Sequence, residues 1–230
     1  MISLFFSIII NIYNVSNGIE NSSWISKNNS IYEVRIYYDR YFAVSKYNTE
    51  NNTFISTFGG IYSVDNEYYE ILEFNSLDSS SVGDTIHYSN VKINIKNDSG
   101  KMLIDGKKFT INQNQDQLNG AWLMSGIERR GEMRMRDVNR PRKTMKMLAG
   151  GRFQWIAYDS SKKGFYGTGG GTYTAIDGKY VENIEFFSRD SNTVGKSLEF
   201  DFEIKEDDWH HRGFSSKGDP KYEIWTQRNQ

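Results

Sequence analysis

The sequence predicts an all-β protein built as two tandem up-and-down antiparallel β-barrels, the first of which need not be complete. Three observations carry this: the chain repeats itself, its apolar residues alternate with period two, and short Gly- and Asp-containing turns separate the alternating runs. The repeat aligns residues 42–75 with 153–187 through one single-residue insertion. Tyr47 falls on Tyr158, Phe54 on Phe165, and Gly59-Gly60-Ile61-Tyr62 on Gly170-Gly171-Thr172-Tyr173. A second block matches Tyr68-x-Glu70-x-x-Glu73-Phe74 to Tyr180-x-Glu182-x-x-Glu185-Phe186, and Asp78-Ser79 to Asp190-Ser191. Farther on, Ile95-Lys96 meets Ile204-Lys205 and Phe109-Thr110-Ile111 meets Tyr222-Glu223-Ile224. Matched units of roughly a hundred residues are too long for a solenoid repeat, so each copy is read as a small domain with few contacts to the other.

Alternation is cleanest in the second copy, where Leu198, Phe200, Phe202 and Ile204 interleave with Glu199, Asp201, Glu203 and Lys205. Such a strand has one core face and one wet face. Eight strands are expected: Ala121–Arg129, Lys143–Leu148, Arg152–Tyr158, Phe165–Ala175, Lys179–Ser188, Ser197–Lys205, Trp209–Phe214 and Lys221–Gln227. Closing eight sequential strands into a barrel removes the two unpaired edges an open sheet would leave. In the first copy eight residues separate Trp24 from Glu33, against twenty-one between Trp122 and Thr144, so its first strand or first loop is curtailed. Seven or eight strands are expected between Ile31 and Ile111. The domain plan is residues 22–113 and 118–230, joined by a polar linker at 114–117.

Residues 1–18 differ in kind from the rest. The run from Ile2 to Ile12 is almost wholly apolar and too short for a comfortable membrane span, and Ser16 and Gly18 supply small residues after it. The segment reads as a signal peptide, which implies an exported protein with no membrane span in the mature chain. With 15 Tyr and 14 Phe at a mean hydropathy of -0.66, the remainder has the bulky side chains needed for cores under wet outer faces. A net charge of -1 gives no global field for nucleic acid. The absence of cysteine excludes disulfides, thiolate metal sites and cysteine nucleophiles.

The second copy opens on Gly120-Ala121-Trp122 and closes on Trp225-Thr226-Gln227-Arg228. This resembles the lipocalin-like (calycin) domains of uncharacterised bacterial secreted proteins, whose first strand begins Gly-x-Trp and whose last places a basic residue near that Trp. The resemblance covers residues 118–230 well and 31–113 in part. The first copy has Ser22-Ser23-Trp24 in place of Gly-x-Trp and no basic residue after Ile111. The resemblance implies a lipocalin-like barrel in which Gly120, Trp122 and Arg228 are structural, with the Arg228 guanidinium covering the indole. It also implies a small, largely apolar ligand.

Several residues are candidates for that ligand. Glu182 shares a strand face with Tyr180, Ile184 and Phe186, and Glu70 repeats the arrangement, so each copy directs a carboxylate from an apolar face, where it needs a cation or hydrogen-bond donors. Trp155, Tyr180, Glu182 and Phe200 are the lining candidates. The basic stretch from Arg129 to Lys146 is expected over the mouth, with Arg134 and Arg136 drawing an anionic ligand. His210 and His211, adjacent on a strand, point to opposite faces and cannot share a metal. Gly167 to Gly171 lacks the Lys-Ser/Thr of a phosphate loop, and glycines inside a strand permit a bulge instead. No cofactor, metal or nucleic-acid partner is expected. Two other readings stay open: a structural or protein-interaction module without a cavity, and an enzyme using Glu182 with a histidine.

Overall fold

The computed structural model describes residues 19–64, 67–96 and 99–228. The signal-peptide reading of residues 1–18 lies outside them. The first copy supplies β1 (Ser22–Asn28), β2 (Ile31–Tyr38), β3 (Tyr41–Asn48), β4 (Thr53–Ser63), β5 (Tyr69–Asn75), β6 (Thr85–His87), β7 (Val91–Lys96), β8 (Ser99–Ile104) and β9 (Lys107–Asn112). The second supplies β10 (Gly120–Arg129), β11 (Glu132–Met135), β12 (Arg142–Ala149), β13 (Arg152–Asp159), β14 (Gly164–Ile176), β15 (Lys179–Phe187), β16 (Ser197–Lys205), β17 (Asp208–Phe214) and β18 (Pro220–Gln227).

All pairings are antiparallel, and in the second copy β10 bonds both β12 and β18, closing an eight-stranded barrel. The eight expected strands are present. One short strand, β11, was not foreseen: Gly131 and the positive-φ Arg130 turn the chain back so that Gly126–Arg129 pair with Glu132–Met135 as a flap on β10.

The first copy is a curled, open sheet in the order β6-β5-β4-β3-β2-β1-β9-β8-β7. Its opening has a specific cause. Where the second copy runs one strand, β16, that bonds β15 on one side and β17 on the other, the first breaks at Tyr88-Ser89-Asn90 into β6 and β7. β6 stays with β5 and β7 leaves with β8, so the seam is a strand split in two. The short first loop is the other difference, since β1 and β2 are joined across Asn29 and Ser30 alone.

Both copies bulge on the same glycine pair, with register shifts at Gly59/Gly60 and Gly170/Gly171. A Cβ on Gly170 would come within 2.4 Å of the Phe153 carbonyl and 2.7 Å of the Phe186 ring. The bend that lets β14 serve both sides of the barrel therefore needs glycine there.

Few contacts between the copies were expected, and the structure overturns this. Outward faces of both form one core, in which Val34, Ile36, Ala43, Tyr47 and Phe74 meet Ala121, Met145, Met147, Tyr158 and Phe186. Period two explains it: on β12 Met145 and Met147 face the first copy while Lys146 and Leu148 face the barrel interior, so that strand has no wet face. The packing follows the repeat. Tyr47 stacks on Phe186 at 4.8 Å and its counterpart Tyr158 meets Phe74 at 5.0 Å, while the counterparts Phe54 and Phe165 stack on each other. Likewise Tyr158 donates to Glu73 and Tyr47 to Glu185. The two copies thus face each other across a pseudo-two-fold axis, as subunits of an isologous dimer do.

Arg228 serves this interface and does not cover Trp122. Its backbone N–H bonds the Ala121 carbonyl, but the guanidinium leaves the barrel, pairs with Glu73 at 2.6 Å and lies 4.0 Å from the Tyr41 ring centre. Trp122 points inward and donates from Nε1 to the Leu118 carbonyl at 2.8 Å. Gly120 is required by that indole, which would sit 2.3 Å from any Cβ there. In the first copy Ser22 stands at this place, and its hydroxyl accepts from Trp24 Nε1.

Candidate functional site: the open end of the second barrel

The second barrel is packed at one end and open at the other. Trp122, Phe153, Tyr173, Tyr180, Phe202 and Trp209 fill the closed end. Above them lies a cavity of about 1060 Å³, just above the roughly 300–1,000 Å³ usual for small-molecule sites. Trp155, Ile184, Phe187, Leu198, Phe200 and Trp225 give it apolar walls. Its polar lining carries Arg129, Arg136, Arg140, Arg142, Arg189 and Lys217 together with Glu128, Asp137, Asp190 and Asp219, and Arg140 pairs with Asp137.

Of the residues expected here, Trp155, Glu182, Phe200 and Arg136 line the cavity. Tyr180 does not: it is fully buried below the floor, edge-on to Trp209. Arg134 does not line it either; it lines a second hollow with Glu128, Arg129, Arg130, Asp219 and Pro220. β11 ends at Met135, so alternation no longer holds for the next residue, and Arg136 turns in with its N–H on the Ser125 carbonyl at 2.7 Å.

Lys146 was missed as a site residue. It stands opposite Trp122 on β10 and Trp155 on β13, almost wholly buried, and pairs with Glu182 at 2.8 Å. Its ammonium also lies 4.9 Å from the ring centres of both Trp209 and Trp225, within cation–π range of both faces. A signal existed, because Lys146 alternates with Thr144 and Leu148 on the inward face. Arg35 stands at the same register, opposite Trp24, and pairs with Glu70 at 2.7 Å. Each copy therefore holds a Trp, a cation and a Glu on three strands.

Charges around the floor are fixed by their neighbours. Burial works to raise the Glu182 carboxyl, but Lys146 and then His211 outweigh it and hold it below the ordinary carboxylate range. His211, buried against Tyr180 and Phe200 and near Lys146, is pushed down to about 4 by burial first and the lysine second. It is neutral at pH 7, and its Nδ1 lies 3.2 Å from Glu223 Oε2, which makes Nδ1 the protonated nitrogen. Burial opposes ionisation of Glu223, yet His211 and Lys221 hold it well below the ordinary range. His210 faces outward, where its Nδ1 meets the Tyr222 hydroxyl at 2.8 Å. At the rim Arg136 is lowered, by partial burial first and by Arg129 and Arg142 against the pull of Glu223. It is a cation crowded by cations.

Among the described residues no helix is long and apolar enough to cross a membrane. No curated protein matches the chain significantly. Residues 117–229, the closed barrel, match a family described as a domain of unknown function (DUF4488).

Proposed function

We propose that the closed barrel binds a small, largely apolar, anionic ligand, and that the chain is exported to do so. The observation that carries the ligand reading is the partly filled barrel, with a cavity walled by Trp155, Leu198, Phe200 and Trp225 under a mouth where cations outnumber carboxylates. Apolar walls supply affinity by area removed from water. The rim cations supply attraction for one charged end, which places the head group at the mouth and the apolar body below it. The first copy acts as a buttress: its interior is closed by Trp24, Tyr37, Phe42, Tyr62, Tyr68 and Phe109, and its outer face completes the shared core. Export rests on the apolar run between Ile2 and Ile12.

Because Trp155 and Trp225 line the cavity, tryptophan fluorescence reports occupancy. Titration with a long-chain fatty acid is expected to give saturable binding at one site. Arg136→Glu is expected to weaken it by about tenfold at low salt and by less at high salt, since rim charges are screened. Binding that ignores both the reversal and the salt contradicts the rim's role. Absence of any apolar binder returns the barrel to a purely structural or protein-interaction part.

A further inference from the structure

The two copies differ at the cavity floor in a way that names a chemical feature of the ligand. In the first copy Glu70 is saturated: Arg35 bonds it at 2.7 Å, the Tyr68 hydroxyl donates to Oε1, and the Tyr88 hydroxyl donates to Oε2 at 2.8 Å. In the second, Lys146 replaces Arg35 and bonds Glu182 at 2.8 Å, Tyr180 replaces Tyr68 but its buried hydroxyl has no hydrogen-bond partner, and Phe200 replaces Tyr88. The last pairing is set by register, since Phe200 lies opposite Tyr180 as Tyr88, whose N–H bonds the Tyr68 carbonyl, lies beside Tyr68. Neither hydroxyl bond of the first copy is made to Glu182: that of Tyr68 is not repeated by Tyr180, and that of Tyr88 is lost with Phe200, which lines the same cavity as Glu182. A carboxylate held ionised at such a site needs donors.

We infer that the ligand carries a hydroxyl at its deep end, donated to Glu182 where the first copy uses the hydroxyl of Tyr88. An ammonium is disfavoured there, because Lys146 already holds its positive charge 2.8 Å from the same carboxylate. The ligand class is then a hydroxylated anionic amphiphile, with its anion at the arginine rim and its hydroxyl on the floor. This rests on the ligand-binding reading of the same barrel.

The test compares ω-hydroxy fatty acids with the plain fatty acids of equal length, over a series of lengths, by calorimetric titration of the full chain. A hydrogen bond to a charged acceptor predicts about tenfold tighter binding of the hydroxy acid at the length that spans floor to rim. Phe200→Tyr restores the hydroxyl of the first copy and is expected to bring the affinity ratio of hydroxy to plain acid, both measured on that variant, to about one. Phe200→Leu, which adds no hydroxyl, is expected to keep the preference, so a general disturbance of the floor is distinguished from occupation of the donor's place. Equal affinity for hydroxy and plain acids at every length, or a preference that survives Phe200→Tyr, overturns the inference and leaves the ligand-binding reading standing. Binding of neither series overturns both.

Discussion

Single residues in the two copies do the same tasks by different chemistry. The indole N–H on the first strand finds a backbone carbonyl where Gly120 lets Trp122 lie close, and a serine hydroxyl where Ser22 stands instead. A sequence comparison records Ser22 as a lost motif; the hydrogen bond shows a substitute. Glu182 was legible as a carboxylate on an apolar face, because the repeat shows Glu70 on the same face. Lys146 was not singled out because it sits in a stretch rich in cations, and composition cannot tell a buried lysine from exposed arginines. The floor also sets a pH dependence. His211 is neutral in the fold down to about 4 but has an ordinary value of 6.5 when unfolded. The unfolded chain therefore takes up the proton first, and stability falls as pH drops from 6.5 towards 4, by roughly 3 kcal/mol in total. Glu182 and Glu223, held below their ordinary range, add a further loss at lower pH still. His211→Asn keeps a donor for Glu223 without the titrating ring. Urea midpoints measured between about pH 7 and pH 4 should fall steeply in the parent and visibly less in this variant; equal slopes would remove His211 from the account.

At the scale of elements, the eight barrel strands of the second copy and their alternation were readable, since each of them hides one face and shows the other or buries both. The flap was not, because β11 is only four residues long and made of Glu, Met and Arg, with no apolar alternation. That omission hid the different placing of the two arginines: Arg136 lines the cavity and Arg134 does not. The break between β6 and β7 was equally hidden: Tyr88-Ser89-Asn90 continues an acceptable strand pattern, and only the pairing shows the seam. The paired glycines are the opposite case, readable as bulges from their place inside a long strand. Their prediction follows from the close approach of backbone. Gly170→Ala pushes a methyl group into the Phe153 carbonyl and the Phe186 ring, so it should destabilise the protein by about 2–3 kcal/mol. A denaturation midpoint within error of the parent would show that the bulge tolerates a side chain.

On the scale of the whole molecule, one repeated sequence has been put to two uses. The second copy closes and keeps half its interior open; the first is split, filled with aromatics and pressed against its sibling through Tyr47, Tyr158, Phe74 and Phe186. The repeat itself could be read from the chain, and so could the all-β class. The interface could not, because a residue on the outer face of a barrel is polar or apolar according to what it meets, and the sequence of one strand does not say what that is. Arg228 illustrates this: its position after the last strand matched expectation, while its guanidinium serves Glu73 across the axis. The central claim is that the cavity of the second copy takes the apolar body of an anionic amphiphile with its head at the rim. Photolabelling tests it most directly, using the full chain and a fatty acid that carries a diazirine near its apolar end, followed by peptide mapping. The account predicts labels on β16 and β18, at Leu198, Phe200 and Trp225, reduced by excess unlabelled fatty acid. Labels confined to the first copy, or scattered over the surface and insensitive to competition, would contradict it.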